Sequence, residues 1–279
     1  MAKPDNIELS DGTFIPILYE DRSVIAIDKP PGWMLAPEWW DRTGRNLHLA
    51  LLSGIQGGDF WARSRGLKFL RFVHRLDADT GGVLLLVKNL SAVQAYSRLF
   101  ETRRVEKMYL AVVRGVPGQR EWTCRLRLAP QPGRIHRMKV DSRRGKEAET
   151  QFRVVQTGRD TALIEARPLT GRTHQIRVHL AESGHPVLGD VLYGAPPGGD
   201  TPHVMHSALN RSLALRAVSL AYPDPFRKRT VFIEAPREEF CERFGFTDSS
   251  VEPRLTTNRD SQQETTRKST RPGDKPPIQ

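Results

Sequence analysis

Five consecutive apolar residues, Val83-Leu84-Leu85-Leu86-Val87, follow the pair Gly81-Gly82. The run is too short for a stable helix and is bounded by glycine, so it predicts a core strand. Directly before it stands a polar loop, His74-Arg75-Leu76-Asp77-Ala78-Asp79-Thr80. Loops held on a rigid scaffold disproportionately carry binding and catalytic groups. An aspartate at the mouth of a buried strand therefore has two readings: a chemical group, or a turn residue that accepts backbone N–H bonds.

The same patterning runs along the chain. Ser23 to Ile27 is a β-branched strand stopped by Lys29-Pro30-Pro31-Gly32, where proline forbids a helix and glycine permits a tight reversal. Leu47 to Leu52 reads as a short helix ended by Gly54 and Gly57-Gly58. Ser91 reads as the N-cap of a helix through Glu101, with Val93, Tyr96, Leu99 and Phe100 on one side. Lys107 to Val113 is a strand. Glu121 to Leu128 alternates Trp122, Cys124, Leu126 and Leu128 against Arg125 and Arg127, a strand with one apolar face. Thr150–Gln156 and Thr161–Ala166 form two strands joined at Thr157-Gly158-Arg159-Asp160. Thr173 to Ser183 reads as a helix ended by Gly184 in a left-handed cap. Strands over 213–220 and 229–233 and a helix over 238–244 close the pattern. Many short strands with few helices between them predict an α+β domain on a mostly antiparallel, mixed sheet. The expected layout is a flexible N-terminus over 1–12, one folded domain over 13–247 and a disordered polar tail over 248–279, which is too poor in large apolar side chains to fold alone.

Charge narrows the partner. The 279 residues carry a formal net charge of +11. The tail contributes a net +1, so about +10 belongs to the folded part, which argues for a polyanion. Arg63, Arg65, Lys68 and Arg71 precede the Asp77 loop, and residues 130–147 hold Arg134, His136, Arg137, Lys139, Arg143, Arg144 and Lys146. Each run reads either as phosphate contact or as a solvated face. Trp33, Trp39, Trp40 and Trp61 read either as core packing or as base-stacking platforms. No stretch of eighteen apolar residues suggests a membrane span, and the first residues lack the apolar core of a signal peptide. The two cysteines, Cys124 and Cys241, form no Cys-x-x-Cys pair, so a reducing cytoplasm is expected.

Elimination narrows the chemistry. His174 and His179 are five apart with no glutamate between them, and His203 and His206 have no neighbouring carboxylate; neither is a zinc pattern. There is no phosphate-binding glycine loop and no Gly-x-Ser-x-Gly elbow. Asp77 and Asp79 are two apart in a turn, which sets no defined separation for a glycosidase pair. What remains is an aspartate acting as nucleophile or base, beside an arginine of the kind that favours the ionised carboxylate. A second dense cluster runs from Arg167 to Leu180, where His174 and Arg177 would share a helix face. Its donors converge near a helix start, either to serve chemistry or simply to bind phosphate.

Taken together, four separated motifs in order resemble the RluA family of RNA pseudouridine synthases. They are Ile25-Ala26-Ile27-Asp28-Lys29-Pro30-Pro31-Gly32; His74-Arg75-Leu76-Asp77 with Thr80 and Gly82; Lys107 and Tyr109; and Pro168-Leu169-Thr170-Gly171-Arg172-Thr173-His174-Gln175-Ile176-Arg177-Val178-His179 with Gly189-Asp190 and Tyr193-Gly194. The resemblance implies an eight-stranded, mostly antiparallel sheet divided by a central cleft, with peripheral helices. It implies isomerisation of uridine in structured RNA, ribosomal or transfer, to pseudouridine, with base flipping and without metal or cofactor. By resemblance Asp77 is the catalytic aspartate, Tyr109 stacks on the target base and is a candidate proton-transfer group, and Arg177 pairs with the aspartate. Arg75 fills the place of the flipped nucleotide, and His74, Arg172, His174 and Lys29 lie in the matching motifs as expected RNA contacts. Gly81 departs from the family's usual serine, which predicts a looser turn. No S4-type RNA-binding domain is recognisable before Ile25, and a monomer is expected. Two competing readings are a non-catalytic RNA-binding protein on the same fold and a glycosidase acting on a small nucleoside.

Overall fold

The computed structural model describes residues 2–35, 45–133, 137–194 and 212–248. Trp39, Trp40, Arg134, His136, His203, His206 and the tail beyond Asp248 lie outside the described residues.

The first half of the sheet comprises β1 (Asn6–Glu8), β2 (Phe14–Glu20), β3 (Val24–Lys29), β4 (Arg71–Phe72) and β5 (Gly81–Val87). Helices α1 (Leu47–Gly57) and α2 (Phe60–Arg63) lie between β3 and β4, and α3 (Leu90–Glu101) follows β5. The second half comprises β6 (Glu106–Arg114), β7 (Glu121–Pro130), β8 (Met138–Val140), β9 (Lys146–Thr157) and β10 (Thr161–Pro168). It is followed by α4 (Gln175–Glu182), β11 (Leu215–Pro223), β12 (Thr230–Glu234) and α5 (Glu238–Arg243). The strands join in the order β1-β2-β3-β5-β11-β6-β10-β9-β7-β8, with β12 on β11 and β4 on β5. Among the described residues the result is a mixed α+β sheet of twelve strands, larger than expected because the short strands β1 and β8 extend its edges and β4 and β12 attach to β5 and β11 off the main order.

The two halves meet where β11 inserts between β5 and β6. Its pairing with β6 is antiparallel, while its pairing with β5 is parallel and brief, Arg216 opposite Gly81 and Ala217 opposite Gly82. All seven residues of β5 are buried. Leu84 and Leu86 pack into one apolar cluster with α1 and α2, while Val83, Leu85 and Val87 pack into another with Tyr96 and Leu99 of α3. Each of these five side chains contributes about 1.5–3 kcal/mol of burial, which makes β5 a stiff mount for the loop before it.

Several expectations change in detail. The N-terminus is not loose over 1–12, because Ile7 and Leu9 are buried and β1 pairs with β2. Asn89, not Ser91, caps α3: its side chain accepts from Ala92 N, and Ser91 Oγ donates to Asn89. Helix α1 passes through Gly54 and ends at Gly58; a Cβ on Gly54 would fall 2.8 Å from the Trp61 ring, so that glycine serves packing. Trp33 and Trp61 are core residues. Within the basic run, Arg65 is not a phosphate contact, because its side chain is spent on Glu20, Trp61 O and Pro4 O. In the 130–147 region, β8 turns back along β7, and Lys146 already belongs to β9.

Gly82 fixes the junction. Its φ is +114°, and a Cβ there would lie 2.0 Å from Ala217 O. A Cβ on Gly81 would meet Lys29 O at 3.2 Å and Arg216 Nη1 at 3.4 Å, a tight but adjustable fit. Gly82→Ala should therefore destabilise the fold by at least about 2 kcal/mol, and Gly81→Ala by much less. Chemical denaturation of the two variants measures the difference.

Candidate active site

A cleft of about 460 Å³ opens at this junction, between the 73–80 loop, the start of β6 and the 168–177 segment. Asp77 lines it. Thr80 N closes the turn by donating to the Asp77 backbone carbonyl. The Asp77 carboxylate instead faces the second cluster, with Arg177 Nη1 3.2 Å and His174 Nε2 3.8 Å from Oδ2.

The loop is braced from beneath. Lys29 is fully buried, and its Nζ donates to Pro30 O, Ala78 O at 2.7 Å and Thr80 O at 3.0 Å. Gly32 N donates to Ala78 O as well. Burial pushes Lys29 down to about 8, with Asp79 and Asp77 pulling it back, so it stays charged at neutral pH. Lys29 was an expected RNA contact; with no exposed surface and all three hydrogens committed, it is a brace.

His74 also has a different part. On one edge β5 is paired by β11 at Gly81–Gly82 and by β4 at Leu86–Val87. Leu85 N lies in the gap, and it donates to His74 Nε2 at 2.9 Å. The ring stacks on Phe100 at 4.8 Å, and burial pushes its pKa down to about 3. His74 therefore offers no positive charge to a phosphate, although its ring still lines the cleft.

Arg177 is buried in the first turns of α4. Nε and Nη2 bond the two Asp190 oxygens at 2.7 and 2.8 Å, and Nη1 bonds Asp77. Burial would lower its pKa, but the bonds and charge of Asp190, with the charge of Asp77, carry it above the ordinary arginine value. Asp190 is itself oriented by Leu192 N and Tyr193 N. Gln175 ties the preceding loop to β9 through Thr170 Oγ1, Arg172 N, Glu149 O and Thr150 Oγ1. His174 is not on the helix face expected for it. It precedes α4 in a left-handed conformation with φ 53°, and it reaches Asp77 because of that reversal.

Tyr109 of β6 lines the cleft, and burial together with the Asp77 charge raises its pKa, which keeps the phenol protonated. Lys107, two residues earlier, donates to Thr170 O at 3.1 Å, and burial lowers its pKa to about 8. At the mouth Arg75 is exposed and bonds Thr173 Oγ1; Arg172 bonds Glu147 O at 3.0 Å. The structure thus brings together Asp77, Tyr109, Arg177, His174, Arg75 and Arg172, and it removes Lys29 from the surface. Three residues of the site had no role assigned from the sequence. Asp190 and Tyr193 were visible as a glycine-bounded Gly-Asp-x-x-Tyr-Gly stretch. Arg103 carried no signal beyond its place between the helix ending at Glu101 and the strand that follows.

The comparisons with known proteins agree with this geometry. Residues 23–182 match the model of the family described as RNA pseudouridylate synthase. The chain is 34% identical over 236 residues to ribosomal large subunit pseudouridine synthase C of Escherichia coli, covering 81% of this chain and 68% of that protein. It is 33% identical over 230 residues to the synthase of the same name from Vibrio vulnificus, covering 81% and 67%. Among solved structures, human RNA pseudouridylate synthase domain containing 1 superposes with a TM-score of 0.59 at 29% identity, covering 80% of this chain and 83% of that one. Human RNA pseudouridylate synthase domain containing 4 shares the fold with a TM-score of 0.64 at 24% identity, covering 81% and 92%. The chain belongs to the RNA pseudouridylate synthase family. It is an RNA pseudouridine synthase, an isomerase of uridine in RNA.

The buried neutral histidines make stability depend on acid. The folded-state pKa of His74 lies far below that of an unfolded histidine, so between pH 6.5 and about 3 the unfolded chain binds the extra proton. The contribution of these histidines should be level above pH 6.5 and fall below it, by at most about 1.4 kcal/mol per pH unit for each such group. His179, lowered by burial to about 4, acts in the same direction. His74→Gln keeps an acceptor for Leu85 N and removes one titration. Urea midpoints measured from pH 7.5 to 4.5 should fall less steeply in this variant than in the wild type.

Proposed function

We propose that the chain converts uridine in large-subunit ribosomal RNA to pseudouridine, with Asp77 as the reactive carboxylate. The observation that carries this reading is Asp77 lining the cleft, held by Arg177 and facing Tyr109. In the rearrangement the C1′–N1 bond breaks, the base turns, a C1′–C5 bond forms, N1 gains a proton and C5 loses one. The change is redox-neutral, so every step can be served by a carboxylate and a proton carrier. Asp77 either adds to C1′ or promotes loss of the 2′ proton to give a glycal. Tyr109 stacks on the base and, being protonated, hydrogen-bonds it or passes a proton.

The base must leave its stack, at a cost of a few kcal/mol that phosphate contacts repay. Arg75 stands at the mouth where the vacated helix would lie, and Arg172 flanks it. The ribosomal choice rests on the names of the bacterial relatives; among the described residues no helix is long and apolar enough to cross a membrane. Pseudouridine mapping of ribosomal and transfer RNA from cells with and without the gene tests the choice. The expected result is loss of discrete large-subunit positions, restored by the wild-type chain. Loss confined to transfer RNA would contradict it.

Arg103 belongs to the same reading. It is exposed, lines the cleft, and takes φ 57° at the end of α3, where Arg104 N bonds Leu99 O. A left-handed arginine costs about 1–2 kcal/mol, and strain of this kind clusters at functional sites. Arg103→Gly should raise the melting temperature while weakening RNA binding and reducing the slope of log affinity against log salt by about 1. Differential scanning fluorimetry and filter binding over a salt series check the two halves.

A further inference from the structure

Arg103 and His174 are the two non-glycine residues with positive φ among the described residues, and both line the cleft. Arg103 is exposed at the cleft. His174 points inward, and its hydrogen bonds fix where its proton sits.

The decisive atom is the Tyr193 hydroxyl. It lies 2.8 Å from Met138 N and 2.9 Å from His174 Nδ1. A backbone N–H can only donate, so the phenol oxygen accepts from Met138. A second acceptance, from an Nδ1–H, would leave the phenol's own hydrogen without that partner, so the arrangement that pairs every hydrogen has the phenol donating to Nδ1. A neutral imidazole has one N–H, which is therefore on Nε2, the atom 3.8 Å from Asp77 Oδ2. The opposite tautomer would aim the Nε2 lone pair at a carboxylate and leave the phenol hydrogen without its imidazole acceptor. The doubly protonated ring would likewise take away that acceptor.

We propose that His174 is a positioning residue that gives its Nε2–H to the Asp77 carboxylate, and that Tyr193 sets this tautomer while tying it to β8. The pair stands 3.8 Å apart, so an approach of about 0.6 Å or more brings it within hydrogen-bond range. Asp77 is then held from two sides, by Arg177 through charge and by His174 through a directed N–H. Both holders depend on one turn, because Asp190 orients Arg177 and Tyr193 orients His174. Tyr193 is nearly buried, with Arg137 and Arg177 over its ring at 5.5 and 5.3 Å. Every charged group that faces His174 bears on this choice. Burial lowers its pKa most; Asp77 and Asp190 pull it up, and Arg177 and Arg75 push it down, with a net lowering. The net lowering favours the neutral ring. The proposal rests on Asp77 as the reactive group, but its first test does not use activity.

The test combines nitrogen-15 NMR of histidine-labelled full-length protein with kinetics. The His174 signals, identified by their loss in His174→Asn, should show Nε2 protonated and Nδ1 bare at pH 7. Kinetically, Tyr193→Phe keeps the ring and removes the hydroxyl; kcat should fall about 10–100-fold with KM little changed. Freed from the phenol, Nδ1 should protonate more readily, so the acid limb of the pH–rate profile should move to higher pH. His174→Asn tolerates the left-handed backbone but reaches only the Nδ1 position and should lose kcat. His174→Gln reaches the Nε2 position and should recover most of it. A wild-type ring protonated on Nδ1 would overturn the proposal, as would full turnover in both Tyr193→Phe and His174→Asn. If the tautomer is as expected and Asp77→Asn still turns over, the reading of Asp77 has failed and the tautomer assignment stands.

Discussion

The site depends on one buried cation. Arg177 is a guanidinium taken out of water, and that is tolerable only because Asp190 meets it with two bonds and Asp77 with a third. Removing one partner of such a pair costs about 3–5 kcal/mol, because the other charge is left buried alone. The order of commitment matters. Asp190 is wholly buried at its side chain and oriented by backbone N–H groups, whereas Asp77 keeps 22% of its side-chain surface. Asp190 is thus the permanent counterion, and Asp77 is the carboxylate left facing the cleft.

The rest of the fold delivers these groups to one point. Burial on both faces of β5 stiffens the base of the Asp77 loop, Lys29 and Gly32 hold the loop's carbonyls, and His74 satisfies the one amide that falls between two strand partners. On the other side β10 ends, Gln175 ties the loop to β9, and the left-handed His174 turns the chain so that α4 begins with Arg177 aimed at the cleft. Gly82 lets the halves close to contact at β11. Much of what appears at first to be recognition machinery is carpentry that places a single carboxylate.

Local pattern made the strands legible, because a buried strand is written in its own residues. The Val83–Val87 run, the alternation from Trp122 to Leu128 and the β-branched Ser23–Ile27 stretch all became strands close to where periodicity put them. The Asp77–Arg177 pairing was legible only through motif order, since the two residues are 100 positions apart. The errors share a cause. Lys29, His74 and Arg65 carry groups that sequence counts as polar surface, but their partners are carbonyls, an amide and a distant glutamate that only the tertiary structure brings near. Asn89 in place of Ser91 as the α3 cap is a two-residue boundary shift. The left-handed turn at His174 was invisible because a helix pattern cannot show which residue before its start reverses the chain.

The account stands or falls on Asp77 as a reactive group and not as a structural one. Single-turnover release of tritium from RNA labelled at uridine C5, measured for wild type and Asp77→Asn together with RNA affinity, separates the two. The asparagine variant should bind RNA within a few-fold of the wild type and release no tritium above background. Release at a rate close to that of the wild type would contradict the account.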